Sequence, residues 1–395
     1  MKIALFTEGY DPFVNGVVTS IKTLRRALEE QGHQVVIFAP AYPGLADGDK
    51  KVVRLPSVRW AREAYPCLSP FAGRRDVVAD GGFDLIHSHH PFTMSRLAEQ
   101  LAAKHGLPLV YSFHTMLHEF GQYVPVLGAI GSRWLSSRVR RHCNHADGVV
   151  VATEVVRHFL RAQGVTTPIT VVLEGVPPQI PTPGGRERVR QQIALSAGTP
   201  LLLYAGRLAR EKQVGFLVGC FSRLTQTHDL RLCLVGGGPR EQSLRAQAQR
   251  LGISDRVIFC GWVPHERIAD YYAAADIFVF PSTADALGIA LVEAMSVGLP
   301  CVAIDRYGPS EVVIDGLTGF LTAFDEGDFC RAIRRLLDDP PLRRRMGEAA
   351  RRRARDFDPG ATTARLVDVY AGAIAERPAR DTVSVRQAVK GEVTP

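Results

Sequence analysis

Two carboxylates, Asp285 and Glu293, stand eight positions apart in PSTADALGIALVEAMSVGLP, on either side of a glycine that can open a helix. Leu287, Gly288 and Ile289 then fall at the helix N-terminus, where free backbone N–H groups and the helix dipole favour phosphate. Glu293 is expected about two turns along that helix, placed to accept hydrogen bonds from ribose hydroxyls. Asp285, on the strand-to-helix loop before it, is placed to hold sugar hydroxyls. A second constellation is YAGRLAREK, in which Arg207 and Lys212 leave the end of a strand with R-x4-K spacing. Two cations on one loop can neutralise the charge that develops on a departing diphosphate without a metal ion; two solvated surface charges are the plainer alternative.

A third feature lies near the start. GYDPFVNGVV joins the first strand to its helix and sets Asn15-Gly16 where the backbone must approach something closely. N–H groups at a helix start form an anion site, although a bare glycine turn would also explain the pair. LVGGGP at 234–239 resembles a dinucleotide fingerprint only superficially, because the third glycine of G-x-G-x-x-G would fall at Glu241. A tight strand-to-helix turn suffices there.

These residues need elements to hold them. Short β-branched runs alternate with amphipathic stretches: KIALF, an apolar stripe at Ile21, Leu24 and Leu28, QVVIFAP, DLIHSHH and LPLVYSF. That is the syntax of βαβ units with parallel sheets. The pattern restarts after VPPQIPTPGG (176–185) with TPLLLYAG, RLCLVGGG, RVIFCGW, DIFVFPS and LPCVAID. The expectation is an α/β protein of two facing doubly wound domains, residues 1–177 and 178–357, with a helix over 358–377 crossing back to the first and a frayed tail over 378–395. Ligands in such sheets bind beyond the carboxyl ends of the strands, so two facing sheets make a cleft.

Bulk properties bound the alternatives. At 395 residues, 46% hydrophobic and 22% charged, the chain supports two compact cores. Seven scattered cysteines match neither zinc-site spacing nor a secreted disulfide framework. MKIALFTEGYDPF meets Glu8 and Asp11 too soon for a signal peptide, and no run of about eighteen apolar residues exists, which points to the cytoplasm. The net charge of +8 is spread evenly, 19 Lys+Arg against 15 Asp+Glu up to Ile180 and 29 against 25 beyond it. Neither half is a basic tail, and no nucleic-acid partner is expected.

The ordered set of Asn15-Gly16-Val17, DLIHSHHPF, FHT at 113–115, GRLAREK, LVGGGP, the D-x7-E pair and GPSEVVIDGLTGFL resembles the retaining glycosyltransferase family four, whose members share the GT-B fold of two facing Rossmann-like domains. The resemblance covers nearly the whole chain. It implies that Gly16 lies near the phosphates of a nucleotide diphosphate sugar, a UDP- or GDP-hexose, that Arg207 and Lys212 bind the diphosphate, and that Glu293 takes the ribose. Asp285 matches the first acidic position of the family's paired-glutamate motif, where glutamate is usual, so the shorter side chain bears on sugar choice. His114 matches a histidine near the reacting centre, able to contact the sugar or the developing charge. Val263 is a candidate for contacting the base, and Glu311 a structural or donor-side residue. No cofactor and no metal are implied. His87, His89 and His90 are not expected to form a metal site, since in a strand the first two share a face that the third does not.

The acceptor is less explicit. VRWAREAYPCLSPFAGRR (58–75) and GSRWLSSRVRRHC (131–143) mix arginines with Trp60, Tyr65, Phe71, Trp134 and Leu135, as suits a surface resting on anionic lipid; a solvated helix with a core stripe is the alternative. FHTMLHEFGQYVP is similar to the corresponding stretch of bacterial diacylglycerol glucosyltransferases and their mannosyl-lipid relatives. The resemblance therefore implies a membrane glycolipid or diacylglycerol acceptor and peripheral attachment to the inner face of the membrane. A soluble sugar or polysaccharide acceptor, a non-catalytic nucleotide-sugar-binding protein and a Rossmann-type oxidoreductase are the competing possibilities, the last disfavoured by the incomplete glycine fingerprint.

Overall fold

The computed structural model describes residues 1–13, 15–42, 44, 48–58, 67–69, 76–79, 81–114 and 128–376; for residue 67 and residues 128–133 it describes the backbone alone. Trp60, Tyr65, Phe71, the stretch from Thr115 to Pro125 and the tail from residue 378, all singled out in the sequence, lie outside the described residues.

The first half runs β1 (Lys2–Phe6), α1 (Gly16–Glu30), β2 (Gln34–Pro40), β3 (Val52–Leu55), β4 (Ser57–Val58), β5 (Cys67–Leu68), β6 (Leu85–Ser88), α2 (Thr93–His105), β7 (Leu109–Phe113), α3 (Gly128–His145), β8 (Gly148–Val151), α4 (Glu154–Ala162) and β9 (Ile169–Val171). Seven of these strands form one parallel sheet in the order β3-β2-β1-β6-β7-β8-β9, while β4 and β5 pair antiparallel beside it. Strands buried on both faces need apolar side chains on both, and the pleat deals them out alternately. Ile3 and Leu5 pack with Val18, Ile21 and Leu28 of α1, whereas Ala4 and Phe6 pack with Met94 and Leu97 of α2, Val139 of α3 and Leu160 of α4.

The second half runs α5 (Gly185–Gln192), β10 (Leu201–Ala205), α6 (Val214–Leu224), β11 (Arg231–Val235), α7 (Glu241–Arg250), β12 (Val257–Gly261), α8 (His265–Ala274), β13 (Ile277–Phe280), α9 (Ile289–Val297), β14 (Cys301–Ile304), α10 (Pro309–Val312), β15 (Gly319–Thr322), α11 (Glu326–Asp338), α12 (Pro340–Arg353) and α13 (Pro359–Ala375). Its sheet is parallel throughout, in the order β12-β11-β10-β13-β14-β15. Leu201 and Leu203 face Tyr272 of α8 and Leu291 of α9, and Leu202 and Tyr204 face Phe221 of α6 and Phe329 of α11. These are two Rossmann-like domains.

The chain crosses between the sheets twice, in residues 172–184 and again in 354–359. The crossings touch: Val176 N–H donates to Phe357 O at 2.8 Å, and a Cβ on Gly175 would meet Pro359 Cα at 2.7 Å. After the second crossing α13 lies on the first sheet, with Leu366, Tyr370 and Ala373 in the core that holds Ile3 and Leu5.

Candidate active site

In each sheet the strand order reverses once. Between β10 and β13 the crossovers diverge, and the same happens between β1 and β6. The loops after such strands part and leave a crevice. The loop after β10 carries Arg207 and Lys212, the loop after β13 carries Asp285, the loop after β1 leads to Gly16, and His89 and His90 follow β6. Fold topology alone thus gathers residues that are far apart in sequence.

Two helix N-termini meet across the domains. Asn15 caps α1, its Oδ1 accepting from Val18 N–H at 3.0 Å. Gly288 caps α9 in the left-handed region, φ 93°, a conformation that a side chain would strain. A Cβ on Gly16 would lie 3.6 Å from Ile289 Cδ1, so the first side chain of α9 reaches the start of α1. The first N–H groups of a helix lack intrahelical acceptors, and both dipoles present their positive ends here. The arrangement suits a polyanion.

The cations of the β10 loop are already paired. Lys212, in the short 3-10 turn Arg210–Lys212, donates from Nζ to Asp285 Oδ1 at 2.5 Å, with about a fifth of each side chain exposed. Arg207 Nη2 donates to Glu211 Oε1 at 2.5 Å, and the buried Glu211 holds the guanidinium from below while about half of it stays exposed. Asp285 Oδ2 is buried without a hydrogen-bond partner. A buried carboxylate oxygen left open is unusual, and a sugar hydroxyl is the kind of donor it takes.

Glu293 lies nearer the helix start than expected. Because α9 begins at Ile289, Glu293 is its fifth residue, about one turn in rather than two. Its carboxylate accepts from Tyr272 OH at 2.7 Å and from Gln179 Nε2 at 3.5 Å, and burial raises its pKa. Val263 follows β12 and is partly buried against the second core. Its neighbour Trp262, which sequence reasoning passed over, is 61% exposed and covers Gly237, where a Cβ would meet its Nε1 at 2.5 Å. The glycines of LVGGGP are needed for close approach, since a Cβ on Gly236 would stand 2.1 Å from Gly206 O.

His114 follows β7, and both its ring nitrogens are engaged by protein groups. Nδ1–H donates to Glu174 Oε1 at 2.8 Å, and Nε2 is 2.8 Å from His89 Nδ1. The strand expected to carry three histidines ends at Ser88, so His89 and His90 lie past it. His87 is bonded to Ser112 Oγ and Tyr370 OH, and His90 Nδ1 to Thr7 Oγ1. Burial lowers all three pKa values, to about 3 for His87 and His90. Among the described residues no cluster of three or more His, Cys, Asp or Glu side chains is arranged to hold a metal ion. Glu311, on α10, reaches into the first domain and accepts from the N–H groups of Glu154 and Val155 at 2.9 and 2.6 Å, the start of α4. Glu174 could have been flagged as a lone acid in an apolar run, whereas Glu311 was singled out; the partners of neither were legible.

The family described as "Glycosyltransferase Family 4" matches residues 14–180, and that described as "Glycosyl transferases group 1" matches residues 185–353. The chain is 30% identical over 346 residues to an alpha-monoglucosyldiacylglycerol synthase of Streptococcus pneumoniae, covering 84% of this chain and 77% of that one. It is 32% identical over 357 residues to a D-inositol 3-phosphate glycosyltransferase of Streptomyces avermitilis, covering 86% and 74%. Among solved structures, the sucrose-phosphate synthase of Thermosynechococcus elongatus superposes with a TM-score of 0.79 at 24% identity, over 95% of this chain and 99% of that one. Anabaena HepE in complex with UDP-glucose does so with a TM-score of 0.76 at 20% identity, over 94% and 100%. The chain belongs to glycosyltransferase family four, with the GT-B fold, and is a glycosyltransferase that takes its sugar from a nucleotide sugar.

Proposed function

We propose that the protein is a retaining, metal-independent hexosyltransferase that moves a hexose from a UDP- or GDP-hexose to diacylglycerol or a membrane glycolipid. The observation that carries the donor side is the meeting of two helix N-termini, at Gly16 and Ile289, beside a loop that bears Arg207 and Lys212. A diphosphate seated there faces two dipoles and two cations, which is the charge neutralisation that a leaving diphosphate needs. Glu293, one turn into α9, takes the ribose, and Asp285 takes a sugar hydroxyl with the oxygen that Lys212 leaves open. Val263 and Trp262 flank the base.

Among the described residues no side chain stands out as a covalent nucleophile, and retention is assigned to front-face displacement. The bond between the anomeric carbon and the diphosphate oxygen breaks, an oxocarbenium-like sugar forms, and the acceptor hydroxyl bonds the anomeric carbon from the face that the diphosphate left. The leaving phosphate takes the hydroxyl proton. The protein contributes orientation and fixed charge in a cleft from which closure expels water.

The lipid acceptor is supported by the likeness to a diacylglycerol glycosyltransferase and by α3, where Trp134 is 58% exposed, the Arg138 guanidinium lies 5.5 Å from its ring, and Arg140 and Arg141 are exposed. An indole with basic neighbours suits an anionic interface. No helix among the described residues is long and apolar enough to cross a membrane. A soluble phosphorylated polyol is the second acceptor class, favoured by the relatives named for inositol 3-phosphate. The test is nucleoside diphosphate release from UDP- and GDP-hexoses with chelator present, with and without diacylglycerol in anionic vesicles. Release that requires the vesicles supports the lipid acceptor; release with inositol phosphate alone replaces it, and release only with added divalent metal overturns metal independence.

A further inference from the structure

His114 is nearly enclosed, its side chain 7% exposed, and it is held at both ends. On one side Glu174 Oε1 can only accept, so the hydrogen in that 2.8 Å contact sits on His114 Nδ1. On the other side a single hydrogen is shared between His114 Nε2 and His89 Nδ1, also 2.8 Å apart. The two rings lie within 22° of parallel with centroids 5.1 Å apart. Turning the His114 ring over would break both contacts.

The clamp extends inward. The His89 ring packs at 4.1 Å on His87, whose Nδ1 lies 2.7 Å from Tyr370 OH and whose Nε2 lies 2.8 Å from Ser112 Oγ. Tyr370 belongs to α13, so a buried chain of rings leads from the returning C-terminal helix to His114. His89 Nε2 is buried with no hydrogen-bond partner, which leaves the bond to His114 as the polar contact that orients this ring. Glu174 comes from the opposite direction, three residues past β9 in the first interdomain crossing. Its neighbour Gly175 has no room for a side chain against Pro359, so the backbone that presents the carboxylate is fixed by the second crossing.

We propose that Glu174 and His89 are positioning residues for His114, fixing its ring plane and its Nδ1–H tautomer at the reacting centre, with Glu174 delivering this from the segment that joins the domains. The proposal rests on the glycosyl transfer set out above and on the place beside the reacting sugar that the family resemblance implies for His114. Neither residue need touch substrate. A ring free to rotate would present the wrong nitrogen or plane for part of the time, and losses on the order of 100-fold follow from misplacement of about 1 Å.

The experiment compares wild type with Glu174→Ala, Glu174→Gln, His89→Ala and His89→Asn on whichever nucleotide hexose supports turnover. It records kcat, donor KM, UDP affinity by calorimetry, melting temperature, and the imidazole nitrogen spectrum of His114. Glu174→Ala is expected to lower kcat about 100-fold with UDP affinity within about threefold of wild type. Glu174→Gln, whose amide oxygen still accepts from Nδ1–H, is expected to recover at least about tenfold of that loss. His89→Asn, which returns a polar group near the lost Nδ1, is expected to exceed His89→Ala in the same way. A kcat for Glu174→Ala within threefold of wild type, or equal losses in Ala and Gln variants, overturns the proposal. Should Glu174→Ala fail to fold, the His89 pair decides by the same two criteria. If wild type turns over no donor, the proposed function falls, and the His114 spectrum still decides the clamp: an Nδ1–H tautomer in wild type that becomes mixed in Glu174→Ala or His89→Ala supports it, and an unchanged spectrum overturns it.

Discussion

Lys212→Ala tests the donor site most directly. The Lys212 side chain is about four-fifths buried and its ammonium contacts Asp285 at 2.5 Å, so its charge acts in a medium less polar than water. At about 4 Å and an effective dielectric of about 20, a unit charge pair is worth about 4 kcal/mol. Only the part that grows as charge moves onto the leaving diphosphate accelerates the reaction, and Asp285 already draws on some of the field. Against that, the alanine variant leaves the Asp285 carboxylate unpaired beside the diphosphate, which adds repulsion. About 3 to 4 kcal/mol is the resulting expectation, a fall in kcat of about 100- to 1,000-fold. The assay is UDP or GDP release at saturating donor, with donor KM measured in parallel. Combining Lys212→Ala with Asp285→Asn removes the stranded charge, so the double variant is expected to lose less than the product of the single losses. A kcat for Lys212→Ala within tenfold of wild type would refute the assignment of the leaving-group charge to this loop.

Glu293→Ala is expected to weaken UDP binding about 10- to 100-fold, since a charged hydrogen bond contributes about 1.5–3 kcal/mol; calorimetry showing less than a threefold change would remove the ribose role. Glu8 gives a stability prediction with a pH sign. Its carboxyl is enclosed, Oε1 accepts from Met94 N–H at 2.6 Å and Thr93 Oγ1 at 3.2 Å, Oε2 has no partner, and burial pushes the pKa up to about 7 from 4.5. A raised folded pKa gives stability that is complete below the unfolded value and is lost as pH rises through the folded one. Glu8→Gln keeps the acceptor and cannot ionise, so its unfolding free energy in urea is expected to pull ahead of wild type between pH 5 and pH 8, by an amount approaching about 3 kcal/mol. A constant difference across that range would contradict it. Glu311→Ala removes the acceptor for two backbone N–H groups at the start of α4 and is expected to cost about 1–2 kcal/mol in urea unfolding. Unfolding that matches wild type would show that α4 is held without it.

Both layers of βαβ units were legible because a strand covered on both faces must be apolar along its length, and each parallel return needs a helix of its own. The helix start at Gly288 was legible for a similarly local reason, a glycine where the backbone turns left-handed. The depth of Glu293 was misjudged because apolar periodicity does not mark where extended chain gives way to the first helical turn. What no local pattern carries is partnership over distance. Lys212 meets Asp285 across 73 residues, His114 meets Glu174 across 60, and Tyr370 reaches His87 across 283. Each of those contacts depends on where strand order reverses or where the chain crosses back, and sheet order follows from the packing of all the elements together. The residue types of the proposed diphosphate site were therefore set by the sequence, while the pairing that holds Lys212 and His114 in place was decided by the tertiary fold.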